Sequence, residues 1–245
     1  MEKVFFVSDV HISGPKDPRY KRFLAFVDYV IEQKANGLII LGDLFEFFYG
    51  SSSYMEKMYP EVFKSFRKLY SAGIEAHYLY GNHDFNFELP YPYLSTGPSL
   101  VSFITREDAM FAYHGDGLDP YDHQYRLLRS VLRSRIFKLL ASLVPQALLY
   151  RTASFFSAVS RRVNHNKKIF SGSERVYREM AERNVLKKDM FKYAVFAHTH
   201  VPQLCKYDMG GKTKYYINPG FFGKDSTYAV IDKGGVYIGV FNTKC

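Results

Sequence analysis

Five short stretches rich in oxygen and nitrogen donors recur along the chain: Asp9-Val10-His11, Gly42-Asp43, Gly81-Asn82-His83-Asp84, His114-Gly115-Asp116 and His198-Thr199-His200. Each follows an apolar run of strand character, namely Val4–Val7, Leu38–Leu41, His77–Tyr80, Met110–Tyr113 and Ala194–Ala197. Near-continuous hydrophobic strands belong to sheets covered on both faces, and such sheets present their chemistry where strands end and loops begin. The chain is therefore confined to an α/β architecture with its donors gathered at one edge. Taken singly, each stretch reads as an ordinary turn or helix cap, and a lone histidine as a satisfied, half-buried side chain. The five together carry the inference. Imidazole and carboxylate without thiolate suit Mn, Fe or Zn, and two close divalent ions need a carboxylate between them.

Between these stretches the pattern alternates strand and helix. Residues Arg19–Ala35 place Phe23, Phe26, Val27, Val30 and Ile31 on one helical stripe, and Glu61–Ala72 does the same with Val62, Phe63, Phe66 and Leu69. After His200, the segments Lys214–Ile217, Tyr228–Ile231 and Val236–Phe241 read as short strands, with Gly210-Gly211 and Gly234-Gly235 as hairpin turns. There is no internal repeat. At 245 residues, 47% of them hydrophobic, the chain can bury a full core as one domain with an insertion. Cys205 and Cys245 are too few for a disulfide framework, which points to a reducing compartment. The N-terminal residues lack a signal-peptide pattern and no apolar run is long enough to span a bilayer, so a cytoplasmic protein is expected.

The charge is distributed unevenly. From His123 to Ser173 there is no Asp or Glu, while Arg126, Arg129, Arg133, Arg135, Lys138, Arg151, Arg161, Arg162, Lys167 and Lys168 supply ten cations. The net charge of +9 is thus local to this segment. Its apolar residues have helical period: Leu128, Val131, Leu132, Ile136, Leu139, Leu140 and Leu143 form a stripe broken at Pro145, and Ala147–Val163 follows with Leu148, Leu149, Phe155, Phe156 and Val159. A basic amphipathic helix pair can lie on an anionic membrane or clasp a substrate with an anionic and an apolar end. It can also be an insertion whose arginines are merely solvated.

The order Asp-X-His, Gly-Asp, Gly-Asn-His-Asp, His and His-X-His, running from about Val4 to Phe241, resembles the calcineurin-like metallophosphoesterase superfamily. The resemblance implies a four-layer αββα sandwich with a basic helical insertion acting as a cap, spanning 120–172 within a single domain of residues 1–245. It implies two divalent metal ions, Mn foremost with Fe or Zn as alternatives. Asp9, His11 and His200 would hold one, Asn82, His114 and His198 the other, and Asp43 would bridge. It further implies attack of a metal-bound hydroxide on phosphorus, with His83 as the catalytic group facing substrate and Asp84 orienting it.

Gly42-Asp-Leu-Phe-Glu-Phe-Phe-Tyr-Gly50, the basic insertion after His114-Gly-Asp116, and Arg161-Arg-Val-Asn-His-Asn-Lys-Lys168 are similar to the UDP-2,3-diacylglucosamine pyrophosphatases of lipid A biosynthesis. In that family the cap holds acyl chains, and polar residues near its end bind sugar and phosphate; Arg161, Arg162, Asn164, Lys167 and Lys168 are the counterparts. The implied partner is an anionic, lipid-linked phosphate substrate, met by a peripheral enzyme on the inner face of the membrane. Two features differ from that family's pattern: His83 stands where those hydrolases carry Arg, and Asn218-Pro-Gly220 resembles the superfamily's general phosphodiesterases. A phosphodiesterase or phosphatase acting on a non-lipid substrate is the alternative. Nuclease activity is disfavoured, because the insertion's apolar residues are aliphatic more than stacking aromatics.

Overall fold

The structure is a computed structural model that describes residues 3–87, 89–105, 108–120, 123–152 and 173–242. Its first sheet grows around β1 (Val4–Val7) and β2 (Gly37–Ile40), which pair in parallel, Val4 opposite Gly37. β4 (Glu75–Leu79) and β6 (Leu94–Gly97) extend it in parallel on one side. The antiparallel hairpin of β12 (Thr227–Asp232) and β13 (Gly235–Val240) completes the order β13-β12-β1-β2-β4-β6. The second sheet runs β10-β11-β9-β8-β7, from β7 (Ser99–Phe103), β8 (Ala109–Tyr113), β9 (Phe191–Phe196), β10 (Gln203–Met209) and β11 (Lys212–Asn218). A short parallel pair, β3 (Phe48–Gly50) with β5 (Asp84–Phe87), stands apart.

The layering follows from the alternation of side chains along each strand. On β1, Val4 and Phe6 enter a core shared by the two sheets, with Ile39, Leu79, Met110, Val195 and Ile231. Phe5 and Val7 face the other way, onto Phe23, Phe26, Val27 and Phe66 of helices α1 (Pro18–Glu32) and α3 (Pro60–Ser71), the latter preceded by α2 (Ser52–Met58). Both faces being buried is why the strand is apolar at every position. On the far side, Tyr177 and Ala181 of α7 (Ser173–Ala181) and Val185 and Leu186 of a π-turn at Glu182–Leu186 cover Phe191 and Tyr216 of the second sheet. Helices, sheet, sheet, helices is the expected αββα sandwich. At about 1.5–3 kcal/mol for each buried Val, Leu, Ile or Phe, these clusters supply the main favourable contribution. α1 begins where the sequence dictates: Pro18 occupies its first position, and Asp17 accepts from the Arg19 N–H at 2.9 Å. Gly210 and Gly211 make the β10–β11 turn with φ of +61° and +76°, the two-residue hairpin that requires them.

Three helices lie over one end of the sandwich: α4 (His123–Leu132), α5 (Arg135–Ser142) and α6 (146–152). The expected stripe is interrupted earlier than Pro145, at Ser134, whose hydroxyl caps α5 by accepting from Phe137 N–H at 3.1 Å. Its direction also differs. Leu132, Phe137, Ala141 and Leu149 pack on Tyr49 and Phe85, whereas Leu128, Val131, Ile136, Leu139, Leu140 and Leu143 are exposed, Leu143 by 75%. No helix among the described residues is long and apolar enough to cross a membrane.

Candidate metal centre

All five donor stretches converge at the carboxyl ends of β1, β2, β4, β8 and β9. Asp9, His11, Asp43 and His114 are all buried. The His200 Nε2 stands 3.2 Å from Asp9 Oδ1, and His11 Nε2 lies 3.9 Å from the same oxygen, so Asp9, His11 and His200 surround one point. Asp43, His114 and His198 surround a second: His114 Nε2 is 3.5 Å from Asp43 Oδ2 and 3.2 Å from His198 Nδ1, with Asn82 Oδ1 at 3.0 Å. Asp43 Oδ2 is also 3.8 Å from His11 Nε2, so this one carboxylate reaches both groups.

Several local devices bring the donors inward. Asp9, His11, Asp43, His198 and His200 adopt φ between +53° and +70°. Non-glycine residues enter this left-handed region only when surrounding structure forces them there, and such outliers concentrate at functional sites. Glycine precedes Asp43 and Asn82 for lack of room. Gly42 has φ of +89°, and a Cβ there would lie 2.7 Å from the Gly81 backbone. A Cβ on Gly81 would lie 2.1 Å from Asp43 Oδ1. His114 is oriented by its Nδ1–H, which donates to Leu41 O at 2.7 Å and leaves Nε2 toward the centre.

Two residues outside the expected set support the His198–His200 loop. Asn218, fully buried, donates to Thr199 Oγ1 at 3.0 Å and to Ala197 O at 3.3 Å, and Phe221 packs on His200 with ring centroids 4.3 Å apart. Asn218-Pro-Gly was visible in the sequence as a motif, but its contact with the histidine loop was not.

The electrostatics suit cations. Burial, reinforced by the charge of His83, holds His11 well below the usual imidazole value, and burial with the charge of His114 pushes His198 down to about 3. Both are therefore neutral, the form that ligates. His114 is the opposite case: burial works against its charge, yet Asp43, Asp9 and Asp116 outweigh it and raise it to about 9, so the same carboxylates that hold its proton favour a cation that displaces it. The decisive observation is His11. Both of its buried ring nitrogens lack a hydrogen-bond partner, although Asp9, His200, Glu46 and His83 all lie near. A buried imidazole left so is costly unless an ion completes it. Ligands of one ion at bond lengths of about 2.0–2.2 Å sit roughly 3–4 Å apart, as these do. The donor set fits a divalent metal.

His83 lies beside this centre, its ring 4.7 Å from that of His11. Its backbone N–H donates to Asp43 Oδ1 at 2.9 Å and its Nδ1 bonds to Glu46 O at 2.9 Å, with the buried Glu46 carboxylate 3.7 Å away. The expectation that Asp84 orients His83 is corrected here. The Asp84 carboxylate accepts from the N–H groups of Asp43, Leu44 and Gly81 at 2.7–2.9 Å and from the Tyr78 hydroxyl, and so fastens the Asp43 loop. Asp116 is fully buried against Arg129 Nε at 2.6 Å, Arg133 Nη2 at 3.0 Å and the Tyr125 hydroxyl at 3.0 Å. Two of the ten insertion cations are thus engaged internally. Arg161, Arg162, Asn164, Lys167 and Lys168 lie outside the described residues.

A sandwich of this topology with paired oxygen–nitrogen donor groups at its strand ends defines a metal-dependent phosphoesterase. The sequence matches the calcineurin-like phosphoesterase family over residues 2–202, and the chain belongs to that family. It is a metal-dependent hydrolase. A relative in Blochmanniella pennsylvanica, named UDP-2,3-diacylglucosamine hydrolase, is 29% identical over 220 residues, covering 87% of this chain and 85% of its own. Proteins of the same name in Pseudomonas fluorescens and Pseudomonas aeruginosa are each 26% identical, covering 98% and 95% of this chain and 96% of their own.

Proposed function

We propose that the protein hydrolyses the pyrophosphate of UDP-2,3-diacylglucosamine or a similar lipid-linked nucleotide, as a single domain in which 120–172 forms a cap. Asp9, His11 and His200 hold one divalent ion and Asn82, His114 and His198 the other, with Asp43 common to both. A donor set of imidazole and carboxylate without thiolate suits Mn, Fe or Zn, and manganese is the proposed ion on the strength of the family resemblance. Two such ions supply Lewis acidity toward the phosphate and lower the pKa of the attacking water. The remaining work falls to side chains. His83, whose Nδ1–H donates to Glu46 O, presents Nε2 to the substrate, where the doubly protonated ring donates its second proton to a phosphoryl or leaving oxygen. Asp84 acts at one remove, holding the backbone of Asp43 and Gly81. Arg161, Arg162, Asn164, Lys167 and Lys168 are proposed to meet the sugar and phosphates.

The observation that carries the substrate reading is the outward apolar face of α4 and α5, where Ile136, Leu139 and Leu143 are 66–75% exposed beside Arg135 and Lys138. Covering that face with acyl chains gains about 0.8 kcal/mol per methylene, and the same face suits peripheral attachment to the inner leaflet. The test compares turnover of UDP-2,3-diacylglucosamine with UDP-N-acetylglucosamine and bis-p-nitrophenyl phosphate. Faster turnover of the acylated nucleotide supports the reading. Equal turnover of all three favours the soluble phosphodiesterase alternative.

A further inference from the structure

The insertion touches the site through one side chain in particular. Arg133 immediately follows α4, and its Nη2 donates both to Gly81 O at 3.1 Å and to Asp116 Oδ2 at 3.0 Å. These acceptors belong to different sheets. Gly81 follows β4 of the first and immediately precedes Asn82, whereas Asp116 follows β8 of the second and lies two residues beyond His114. Asn82 and His114 themselves meet at 3.0 Å across that junction. The Arg133 guanidinium is fixed further by the Phe85 ring, 5.6 Å from its centroid, and Arg129 braces the same carboxylate while donating to the Tyr113 hydroxyl at 3.0 Å. The Tyr113 hydroxyl in turn donates to Asp116 O at 2.6 Å.

The ligands of the other group are anchored without the insertion. Asp9, Val10 and His11 bond by their N–H groups to Gly42 O and Asp43 O, Gly223 N–H donates to Asp9 O, and Asn218 holds the loop that carries His200, along with His198 of the Asn82 and His114 group.

We infer that Arg133 is a positioning residue for the ion held by Asn82, His114 and His198, tying together the two loops that present Asn82 and His114. This rests on the metal-centre reading above. A planar guanidinium suits the task because its Nη2 carries two hydrogens in fixed directions, one for each loop, which an ammonium on a flexible stem does not provide. Asp116 strengthens the strut: it is a fully buried carboxylate held by two guanidinium groups, so removing Arg133 leaves it with Arg129 alone and unties it from Gly81 O. Supporting groups of this kind typically carry 10–100-fold in metal affinity. A cap that only covered the substrate would leave both ions untouched.

The test strips the full-length protein with chelator and titrates Mn²⁺ calorimetrically into wild type, Arg133→Met and Arg133→Lys, with thermal unfolding of each metal-free protein as the folding control. Anomalous diffraction from Mn²⁺-soaked crystals assigns which ion is affected. Wild type is expected to bind two ions. Arg133→Met is expected to keep the Asp9–His11–His200 ion at wild-type affinity and to weaken the other by roughly 10–100-fold. Arg133→Lys shows a smaller loss at the same ion and carries the comparison if the Met variant does not fold. Unchanged affinity for both ions, or equal weakening of both, overturns the inference. Fewer than two ions in wild type overturns the metal-centre reading instead.

Discussion

Gly81→Ala puts the tightest contact in the centre to work. The added Cβ would lie 2.1 Å from Asp43 Oδ1, 2.8 Å from Cγ and 2.6 Å from the Asp43 nitrogen, whereas real Cβ contacts essentially never fall below 3.0 Å. Relief at the oxygen alone requires a shift of about 0.9 Å, the difference between 3.0 and 2.1 Å. The backbone cannot supply it freely, because Asp43 N–H and Gly81 N–H are both held by Asp84 Oδ1 at 2.8 and 2.9 Å. The carboxylate must move as a rigid unit, and a displacement of that size at Oδ2, the oxygen that faces both donor groups, takes it from a bond length of about 2.0–2.2 Å to roughly 3 Å, outside coordination. Asp43 then serves one ion at most. We expect metal content to fall from two ions per chain toward one, and kcat to drop on the order of 10²-fold or more. Overpacking costs about 1–3 kcal/mol of stability, so the variant should remain folded. Elemental analysis, hydrolysis and thermal unfolding measure the three effects, with Gly14→Ala as control, since nothing lies within 4 Å of a Cβ there. A Gly81→Ala protein with two ions and wild-type turnover would refute the reasoning.

His83→Gln is expected to keep both ions yet lose roughly 10²–10⁴ in kcat; loss of metal would make His83 a ligand instead. Asp17 tests the pH dependence of α1. Burial opposes its charge, but the Arg19 side chain and the Ser13 and Arg19 N–H groups prevail and lower it from 3.8 to about 2. The stability it adds is present above pH 3.8 and lost as pH falls through about 2. Asp17→Asn should therefore cost about 1 kcal/mol at pH 7, discounted for partial exposure, with the difference from wild type narrowing below pH 3.8 in urea unfolding. A pH-independent difference would contradict this assignment.

The donor stretches were legible because a strand buried on both faces must be apolar throughout, so Val4–Val7 announces itself and the residues just after it are marked as edge residues. What could not be read was how neighbours point. His83 and Asp84 are adjacent in sequence, yet β5 starts at Asp84, where successive side chains of an extended chain turn to opposite sides. Glu46, not Asp84, therefore stands by the His83 ring. Nor did the sequence reveal five donors at positive φ, since tertiary packing alone holds Asp9 or His200 there. Counting charge over His123–Ser173 left Arg129 and Arg133 among the cations open to a membrane, a substrate or solvent, because the acid that engages them, Asp116, lies just before the acid-free segment. The edge strands β7 and β10 escaped notice for a related reason: with one side toward solvent, Leu204 to Met209 carry polar residues between their apolar ones.

The central claim is that one carboxylate, Asp43, joins two donor groups into a single catalytic metal pair. It is tested most directly by titrating the metal-free protein with Mn²⁺ while following both binding and pyrophosphate hydrolysis, in wild type and in Asp43→Ala. The account predicts two ions in wild type, with hydrolysis appearing only as the second binds, and neither a second ion nor turnover in the variant. Hydrolysis that saturates at one ion, or an Asp43→Ala protein that binds two and turns over normally, would contradict it.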